Sequence, residues 1–483
     1  MENRVGKKVL SNLAWRFAER SGAQVVQFVV QIVLARLLGP ELFGKIAIIT
    51  VFIAIFQVFV DSGLGNALIQ KKDSDDLDFS TVFYTNVVFC TLLYLLIFII
   101  SPIIARFYDD DTFISIIRIL GLTILISGLK NVQQAYVSKK LMFKKFFFST
   151  LIGTLVSAFL GIAVALLGGG IWALVVQQLS NLAIDTLVVW ITVDWKPKRM
   201  FSFARLKTLF SYGWKLLASS LLDNIYTNIR QLIIGKMYTT SDLAFYNRGR
   251  QFPNLVVSNI NSSIDSVLLP VLSDRQDNVN SVKEMTRNAI QVSTYIIAPL
   301  MLGLIATAEP LVRVLLTDTW SPCVPFLRLF CVSFLFYPIH TANLNAIKAL
   351  GRSDLFLKLE IMKKIVGMVV LLSTMWFGVM AMAYSMLFTS VCAQIINCWP
   401  NKKLLNYGYF EQIKDILPSL VLSSVMGICV YCIQWLGMSD IITLGTQVIV
   451  GSIVYLVLSR LFRINVYMYL MRLVGSMFRN NQK

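Results

Sequence analysis

The sequence predicts an all-α integral membrane protein of about fourteen transmembrane helices, with two pseudo-symmetric six-helix lobes and a C-terminal two-helix hairpin. Three observations support this fold class. Hydrophobic residues make up 56% of the 483-residue chain, which is more apolar surface than a soluble domain can bury. Apolar segments of spanning length recur along the whole chain, and an internal repeat relates its two halves.

The apolar segments account for most of the chain. A spanning helix needs about 20 mostly apolar residues. Segments that meet this requirement lie at 12–36, 46–69, 80–105, 114–137, 149–167, 171–193, 208–235, 245–271, 288–308, 324–347, 359–377, 380–399, 416–436 and 441–459. The connections are too short for a soluble catalytic domain, and the sequence contains no P-loop, G-x-S-x-G or H-E-x-x-H motif. We therefore expect a protein that is not an enzyme and has no metal or cofactor.

The internal repeat has a spacing of about 200 residues. Asp61 falls opposite Asn261, and Arg118 falls opposite Arg328. Spans 1–6 then correspond to spans 7–12, and the even number of crossings gives both copies the same direction through the membrane. This predicts a pseudo-two-fold axis along the membrane normal and a binding cleft between the halves. The predicted domains are 1–200, 201–402 and 403–483, the last being the two additional helices and a cytoplasmic tail.

Charge follows the predicted topology. The chain has 44 lysines and arginines against 26 acidic residues, a formal net charge of +18. With a cytoplasmic N-terminus, 28 of these cations fall in inner segments and far fewer in outer connections. The asymmetry predicts that both termini are cytoplasmic. Because topology explains the excess of positive charge, no nucleic-acid partner is expected.

Polar residues form a continuous face on the first span. Arg16, Arg20, Gln24, Gln27 and Gln31 follow one another at steps of three or four residues. Charged side chains are costly in hydrocarbon, so they normally face the bundle interior or a wet cavity. Hydrogen bonds between helices would explain one isolated amide. A repeated, arginine-rich pattern instead indicates a water-filled passage for a large, hydrophilic and anionic cargo.

Spans 7 and 8 carry similar polar faces in the second half of the sequence. Arginine binds phosphate bidentately, and amides hydrogen-bond sugar hydroxyls. We predict that Arg16 and Arg20 bind a phosphate group of the cargo, although Glu19 lies close enough to neutralise one of them. The complete set of predicted cargo-binding residues is Arg16, Arg20, Gln24, Gln27, Gln31, Asn224, Arg230, Asn247, Arg250, Gln251 and Asn254.

Four further polar residues lie within the apolar spans. Asp185, Arg118 and Arg328 either form structural pairs or line the passage, and the repeat favours a shared role for the two arginines. His340 is the sole histidine. A packed, hydrogen-bonded role explains His340 better than a role as a proton carrier.

The segments Ala35–Gly44, Asp61–Gly65 and Ala67–Gln70 resemble those of the Wzx-type polysaccharide exporters. These belong to the multidrug, oligosaccharidyl-lipid and polysaccharide exporter superfamily, and the resemblance covers essentially the whole chain. It implies a V-shaped, alternating-access flippase of the bacterial inner membrane. Its cargo would be an undecaprenyl-diphosphate-linked oligosaccharide for O-antigen, capsule or exopolysaccharide synthesis. Membrane lipids and the polysaccharide polymerase machinery are the implied partners.

The resemblance also implies a coupling ion, either a proton or sodium. The sequence shows no dedicated cation cage, so the coupling candidates are the carboxylates in or near the polar faces: Glu19, Asp61, Asp223 and Asp265.

Two related functions remain as alternatives. A lipid II flippase shares the fold and a cationic cavity. A multidrug antiporter would need an acidic cavity for cationic drugs, whereas this chain has arginines on span 1.

Overall fold

The computed structural model describes the backbone of residues 2–61 and 63–480, and the side chains of residues 22–61, 63–211 and 213–472. This part of the chain is almost entirely helical and contains no β-strand, which confirms the all-α fold class. The helices are α1 (Glu2–Asp61), α2 (Leu64–Gln70), α3 (Asp76–Tyr108), α4 (Thr112–Lys139), α5 (Phe143–Leu166), α6 (Ile171–Thr192), α7 (Phe203–Met237), α8 (Thr240–Asp274), α9 (Val279–Leu315), α10 (Val324–Leu335), α11 (Tyr337–Ala349), α12 (Ser353–Thr374), α13 (Val379–Leu404), α14 (Tyr409–Cys432), α15 (Asp440–Leu461) and α16 (Asn465–Asn480).

Eleven helical segments in the described part of the chain are long and apolar enough to cross a membrane. Predicted span 1 lies in α1, whereas predicted span 2 begins in α1 and ends in α2; between the two spans, the backbone of α1 leaves helical geometry at Gly39 (φ 73°, ψ 171°), directly before Pro40. Glycine adopts this positive φ without the steric cost that a Cβ would add. Predicted spans 7 and 11 coincide with α7 and α12, which carry several charged residues. The count of fourteen spans therefore stays a prediction.

Predicted span 10 consists of two consecutive helices. The helices α10 and α11 meet at Phe336, and Pro338 lies in the first turn of α11. Proline has no N–H to donate, and the first turn of a helix is where that loss costs least.

The chain divides into two compact units, Met1–Ala244 and Phe245–Lys483. In the first unit, α5 packs along α6 and α1, and α3 packs along α4; α7 lies against α1, α2 and α3. The predicted domain boundaries at residues 200 and 402 stay predictions.

The segment that follows α6 is fixed to the start of α3. The Trp195 indole N–H donates to Asp76 Oδ1 at 3.0 Å, and the Trp195 backbone carbonyl accepts from Gln133 Nε2 at 2.9 Å. The Ser202 N–H donates to Thr81 Oγ1 at 3.1 Å. The connection between α6 and α7 is thus part of the first unit and not a free linker.

In the second unit, α14 and α15 pack against α9. The Tyr295 hydroxyl donates to Ser459 Oγ at 2.8 Å, and the Tyr455 hydroxyl donates to the Tyr295 carbonyl at 2.7 Å. Leu422 and Met426 belong to the same buried apolar cluster. These contacts attach the C-terminal helix pair to the second unit.

Candidate functional site

The polar face of α1 is helical where its side chains are described. Gln24 and Gln27 are exposed and Gln31 is half-buried. Because α1 is continuous through these positions, their spacing places them on one side of the helix. Arg16, Arg20 and Glu19 lie outside the residues whose side chains are described.

On α7 the polar side chains form a ladder along the helix. Asn228 Nδ2 donates to Asn224 Oδ1 at 3.1 Å, and Gln231 Nε2 donates to Asn228 Oδ1 at 2.9 Å. Asp223 is exposed and Arg230 is half-buried. The ladder satisfies part of the hydrogen-bonding capacity of these amides, and each amide still has further donor or acceptor sites.

On α8 the predicted residues differ in exposure. Asn254 is exposed, whereas Asn247, Arg250 and Gln251 are half-buried. Gln251 Oε1 accepts from Arg248 Nη1 at 2.7 Å. The sequence prediction omitted Arg248, although it is only 4% exposed and its guanidinium lies 5.1 Å from the Trp320 ring centre.

The carboxylate candidates have different surroundings. Asp61 is exposed, and both of its oxygens accept from Gln57 Nε2 at 3.2 Å. Asp265 is also exposed and accepts from Asn345 Nδ2 at 2.5 Å. Each carboxylate therefore accepts a hydrogen bond from a neutral amide side chain.

The two repeat-related arginines make corresponding contacts. Arg118 on α4 donates to Ser101 Oγ on the preceding helix at 3.1 Å and lies 4.0 Å from the Phe98 ring centre. Arg328 on α10 contacts Glu309 Oε1 on the preceding helix at 3.0 Å. Both arginines thus join two consecutive helices, which supports the structural alternative for the pair.

An ion pair lies inside the first unit, between α4 and α6. Lys130 Nζ is 2.5 Å from Asp185 Oδ2, and the two residues are only 8% and 6% exposed. Asp185 Oδ1 is buried and has no hydrogen-bond partner. The sequence prediction singled out Asp185 but missed Lys130, which lies twelve residues after Arg118 in an otherwise apolar segment.

Gly65, in the Asp61–Gly65 segment, allows this part of the first unit to pack closely. A Cβ on Gly65 would lie 2.5 Å from Asn131 Oδ1, so α2 can approach α4 only without a side chain there. Asn131 Oδ1 accepts from Asn86 Nδ2 at 3.4 Å. The short motif that carries the resemblance therefore brings Asp61 close to the polar interior formed by α3 and α4.

A second ion pair lies on α12. Lys363 Nζ is 2.6 Å from Glu360 Oε1, and their side chains are 17% and 30% exposed. Charged residues at the start of predicted span 11 could have indicated this pair, but the sequence prediction did not use them.

These features define a polytopic helical membrane transporter: long apolar helices that carry polar faces and enclose charged pairs. The fold is similar to that of a solved lipid II flippase, MurJ, in an inward closed conformation. The TM-score is 0.76 at 15% identity, over 93% of this chain and 99% of that chain.

Residues 33–325, more than half of the chain, match a family described as "Polysaccharide biosynthesis protein", and the chain belongs to this family. The chain is 23% identical to the teichuronic acid biosynthesis protein TuaB of Bacillus subtilis (strain 168), over 94% of this chain and 95% of TuaB. It is 24% identical to the lipopolysaccharide biosynthesis protein WzxC of Escherichia coli (strain K12), over 82% of this chain and 83% of WzxC. These findings confirm the predicted resemblance to Wzx-type polysaccharide flippases and the role in polysaccharide biosynthesis.

Proposed function

We propose that the protein moves an undecaprenyl-diphosphate-linked oligosaccharide from the cytoplasmic to the outer leaflet of a bacterial inner membrane. The family match is the observation that carries this proposal, because it covers more than half of the chain. The transported oligosaccharide would then be built into a cell-envelope polymer. The protein would perform no covalent chemistry on it.

The polar helix faces supply a physical reason for this cargo. An oligosaccharide and a diphosphate cannot enter hydrocarbon without losing their hydration, which costs several kcal/mol per unsatisfied polar group. Exposed amides such as Gln24, Gln27 and Asn254 can replace part of that hydration. The lipid tail needs no such replacement, because hydrocarbon is its ordinary environment.

The positively charged end of the polar face on α1 would bind the diphosphate. Replacing Arg16 and Arg20 by glutamine should abolish export, and replacing them by lysine should retain part of it, because charge is kept while bidentate geometry is lost. Arg230 and Arg250 are weaker candidates for the same contact. A matched control is Arg199→Gln, since Arg199 is exposed and lies in a predicted cytoplasmic connection. Wild-type export by the double glutamine variant, at equal membrane abundance, would remove the diphosphate assignment.

We further propose that both termini are cytoplasmic, since lysine and arginine concentrate in the predicted inner segments. A proton or sodium gradient would drive transport, with Glu19, Asp61, Asp223 and Asp265 as candidates for the coupling carboxylate. The polysaccharide polymerase machinery is the proposed downstream partner.

Deletion of the gene in its host tests the proposed cargo. Lipid-linked oligosaccharide should accumulate in the cytoplasmic leaflet, and expression of the protein should clear it. Accumulation of lipid II instead would identify a lipid II flippase, and loss of cationic-drug efflux would identify an antiporter. Either result would replace the proposed function.

A further inference from the structure

The helix α16 follows α15 after a sharp turn. Arg463 has a φ of 47°, its N–H donates to the Arg460 carbonyl at 3.2 Å, and the Ile464 N–H donates to the Ser459 carbonyl at 3.1 Å. These two bonds form a Schellman motif, which ends a helix and redirects the chain. Ile464 packs against the buried apolar cluster that contains Tyr455. The helix α16 therefore starts at the end of α15 without continuing it.

The length of α16 places it at a membrane surface. It contains 16 residues, whereas a spanning helix needs about 20. Because α15 is long and apolar enough to cross the membrane, α16 begins where that crossing ends. With the proposed cytoplasmic C-terminus, this is the surface of the cytoplasmic leaflet.

One side of α16 is attached to the second unit. Val466 is buried in the cluster that contains Tyr295 and Leu422. Tyr467 and Leu470 pack against the same cluster. These positions are three or four residues apart and share one helix face. This face is held by the protein itself.

The remaining side of α16 exposes apolar side chains. Met468, Tyr469 and Met471 are exposed, as are Leu461 and Phe462 at the end of α15. Exposure of this apolar surface to water is unfavourable, whereas the boundary between lipid headgroups and acyl chains accommodates it. The pattern is typical of a helix that lies in the plane of a membrane surface.

The same region carries arginines outside the ion pairs of the second unit. Arg460, Arg463 and Arg472 are exposed. Among the described residues, the ion pairs of this unit involve other cations, namely Lys283, Arg287, Arg313, Arg328, Arg352 and Lys363. Residues 441–483 contain five lysines and arginines and no aspartate or glutamate. This part of the chain is therefore complementary to an anionic surface.

A polar cavity lies between α16 and the first third of α9. Its volume is about 170 Å³, and it is lined by Asn288, Gln291, Val292, Asn465, Val466 and Tyr469. Three amides and a phenol hydroxyl can donate hydrogen bonds to phosphate oxygens and accept them from hydroxyl groups. One ordered water needs only about 10–15 Å³. The cavity therefore has room for a larger polar group.

We propose that α16 lies on the cytoplasmic leaflet and, with the first third of α9, binds the headgroup of an anionic phospholipid. The proposal rests on the proposed topology and goes beyond transport of the cargo. Arg460, Arg463 and Arg472 bind the phosphate-rich surface, because guanidinium groups pair with phosphate. The cavity binds polar groups of one headgroup, and Met468 and Met471 enter the upper part of the acyl-chain region.

A lipid surface explains the pattern better than a second copy of this chain. In a two-fold symmetric dimer, the same surface of both copies forms the interface. The arginines of the two copies would then lie close together, and like charges oppose association. An anionic leaflet supplies the opposite charge in the plane in which α16 lies.

Native mass spectrometry of the full-length protein tests the charge assignment. The protein is equilibrated with equal amounts of phosphatidylglycerol and phosphatidylcholine, and the bound lipids are counted. The wild type should retain phosphatidylglycerol in preference. The triple variant Arg460→Gln, Arg463→Gln, Arg472→Gln should lose this preference by at least about fivefold, since a single cation near an anionic surface strengthens binding by about that factor.

The matched control removes three other exposed cations from predicted cytoplasmic connections of the second unit. It is the triple variant Arg275→Gln, Lys402→Gln, Lys403→Gln. The control should keep the preference for phosphatidylglycerol. Equal preferences in the two triple variants would overturn the proposal.

Hydrogen–deuterium exchange tests the position of α16. The protein is reconstituted in vesicles of phosphatidylcholine, with or without added phosphatidylglycerol. Phosphatidylglycerol should slow amide exchange in residues 465–472 several-fold in the wild type and the control but not in the arginine variant, and high salt should reverse the slowing. Equal exchange of the wild type in both vesicles would overturn the proposal. Slowing that follows protein concentration instead of lipid composition would also overturn it and would identify a second copy as the occupant.

The variant Gln291→Leu tests the cavity separately. It removes one amide from the lining and leaves the arginines unchanged. Retention of phosphatidylglycerol should fall, while the lipid-dependent slowing of exchange in α16 should remain. Unchanged retention would overturn the headgroup assignment. All of these measurements use phospholipid alone, so their results are independent of whether the protein moves an oligosaccharide.

Discussion

Asp78 joins the start of α3 to the start of α7, and its substitution should destabilise the first unit. Its side chain is fully buried. The carboxylate accepts from Lys71 Nζ at 2.6 Å and from Arg205 Nη1 at 3.3 Å and 3.4 Å. Asp78→Asn keeps the shape and removes the charge that both cations face.

The expected magnitude follows from these two contacts. A hydrogen bond to a charged group contributes about 1.5–3 kcal/mol. The Lys71 side chain is only 25% exposed, so loss of its hydrogen bond to Asp78 should remove most of this contribution. The Arg205 side chain is 40% exposed, so screening reduces its share to about 0–1 kcal/mol. We expect the free energy of unfolding to fall by about 1.5–4 kcal/mol in total.

Equilibrium unfolding in mixed detergent micelles, with SDS as the denaturant, measures this loss. Asp194→Asn is the matched control in the first unit, since its carboxylate is 98% exposed and lies 3.6 Å from Lys145 Nζ. The control should change the free energy of unfolding by less than about 0.5 kcal/mol. Equal effects of Asp78→Asn and Asp194→Asn would refute the reasoning.

Three further predictions follow from the contacts of other residues and from the charge pattern. Gly44→Ala should destabilise the protein by about 1–3 kcal/mol, because a Cβ there would lie 1.8 Å from the Thr240 carbonyl oxygen. Unfolding in detergent measures this loss, with Gly22→Ala as the control, because a Cβ on Gly22 would have no atom within 4 Å. Gln412→Ala should cost about 1–3 kcal/mol, because it removes a reciprocal amide pair with Asn343 at 2.8 Å and 3.0 Å; full stability of the variant would contradict this. Reporter fusions should place both termini in the cytoplasm, and an external C-terminal signal would contradict the predicted topology.

The sequence was sufficient to predict the all-helical membrane fold. Apolar length alone identifies segments such as 80–105 and 114–137, because hydrocarbon forces the backbone to satisfy its own hydrogen bonds. It could not give the backbone conformation at Gly39, where the chain leaves helical geometry between predicted spans 1 and 2, because apolar length carries no information on a single φ angle. The helices α7 and α12, which contain predicted spans 7 and 11, are not among the eleven described segments that are long and apolar enough to cross a membrane.

The candidate site was less accessible to sequence reasoning. Helical spacing correctly placed Gln24, Gln27 and Gln31 on one continuous helix. It could not pair Lys130 with Asp185, because a contact over 55 residues depends on how α4 packs on α6.

The central claim is that this chain moves a lipid-linked oligosaccharide across a bilayer. The most direct test uses purified protein in proteoliposomes that carry a labelled undecaprenyl-diphosphate oligosaccharide on the inner leaflet. The measured quantity is the rate at which the label becomes accessible to an external glycosidase. We predict a rate that rises with the amount of protein and falls when Arg16 and Arg20 are replaced by glutamine. A rate equal to that of protein-free vesicles would contradict the claim.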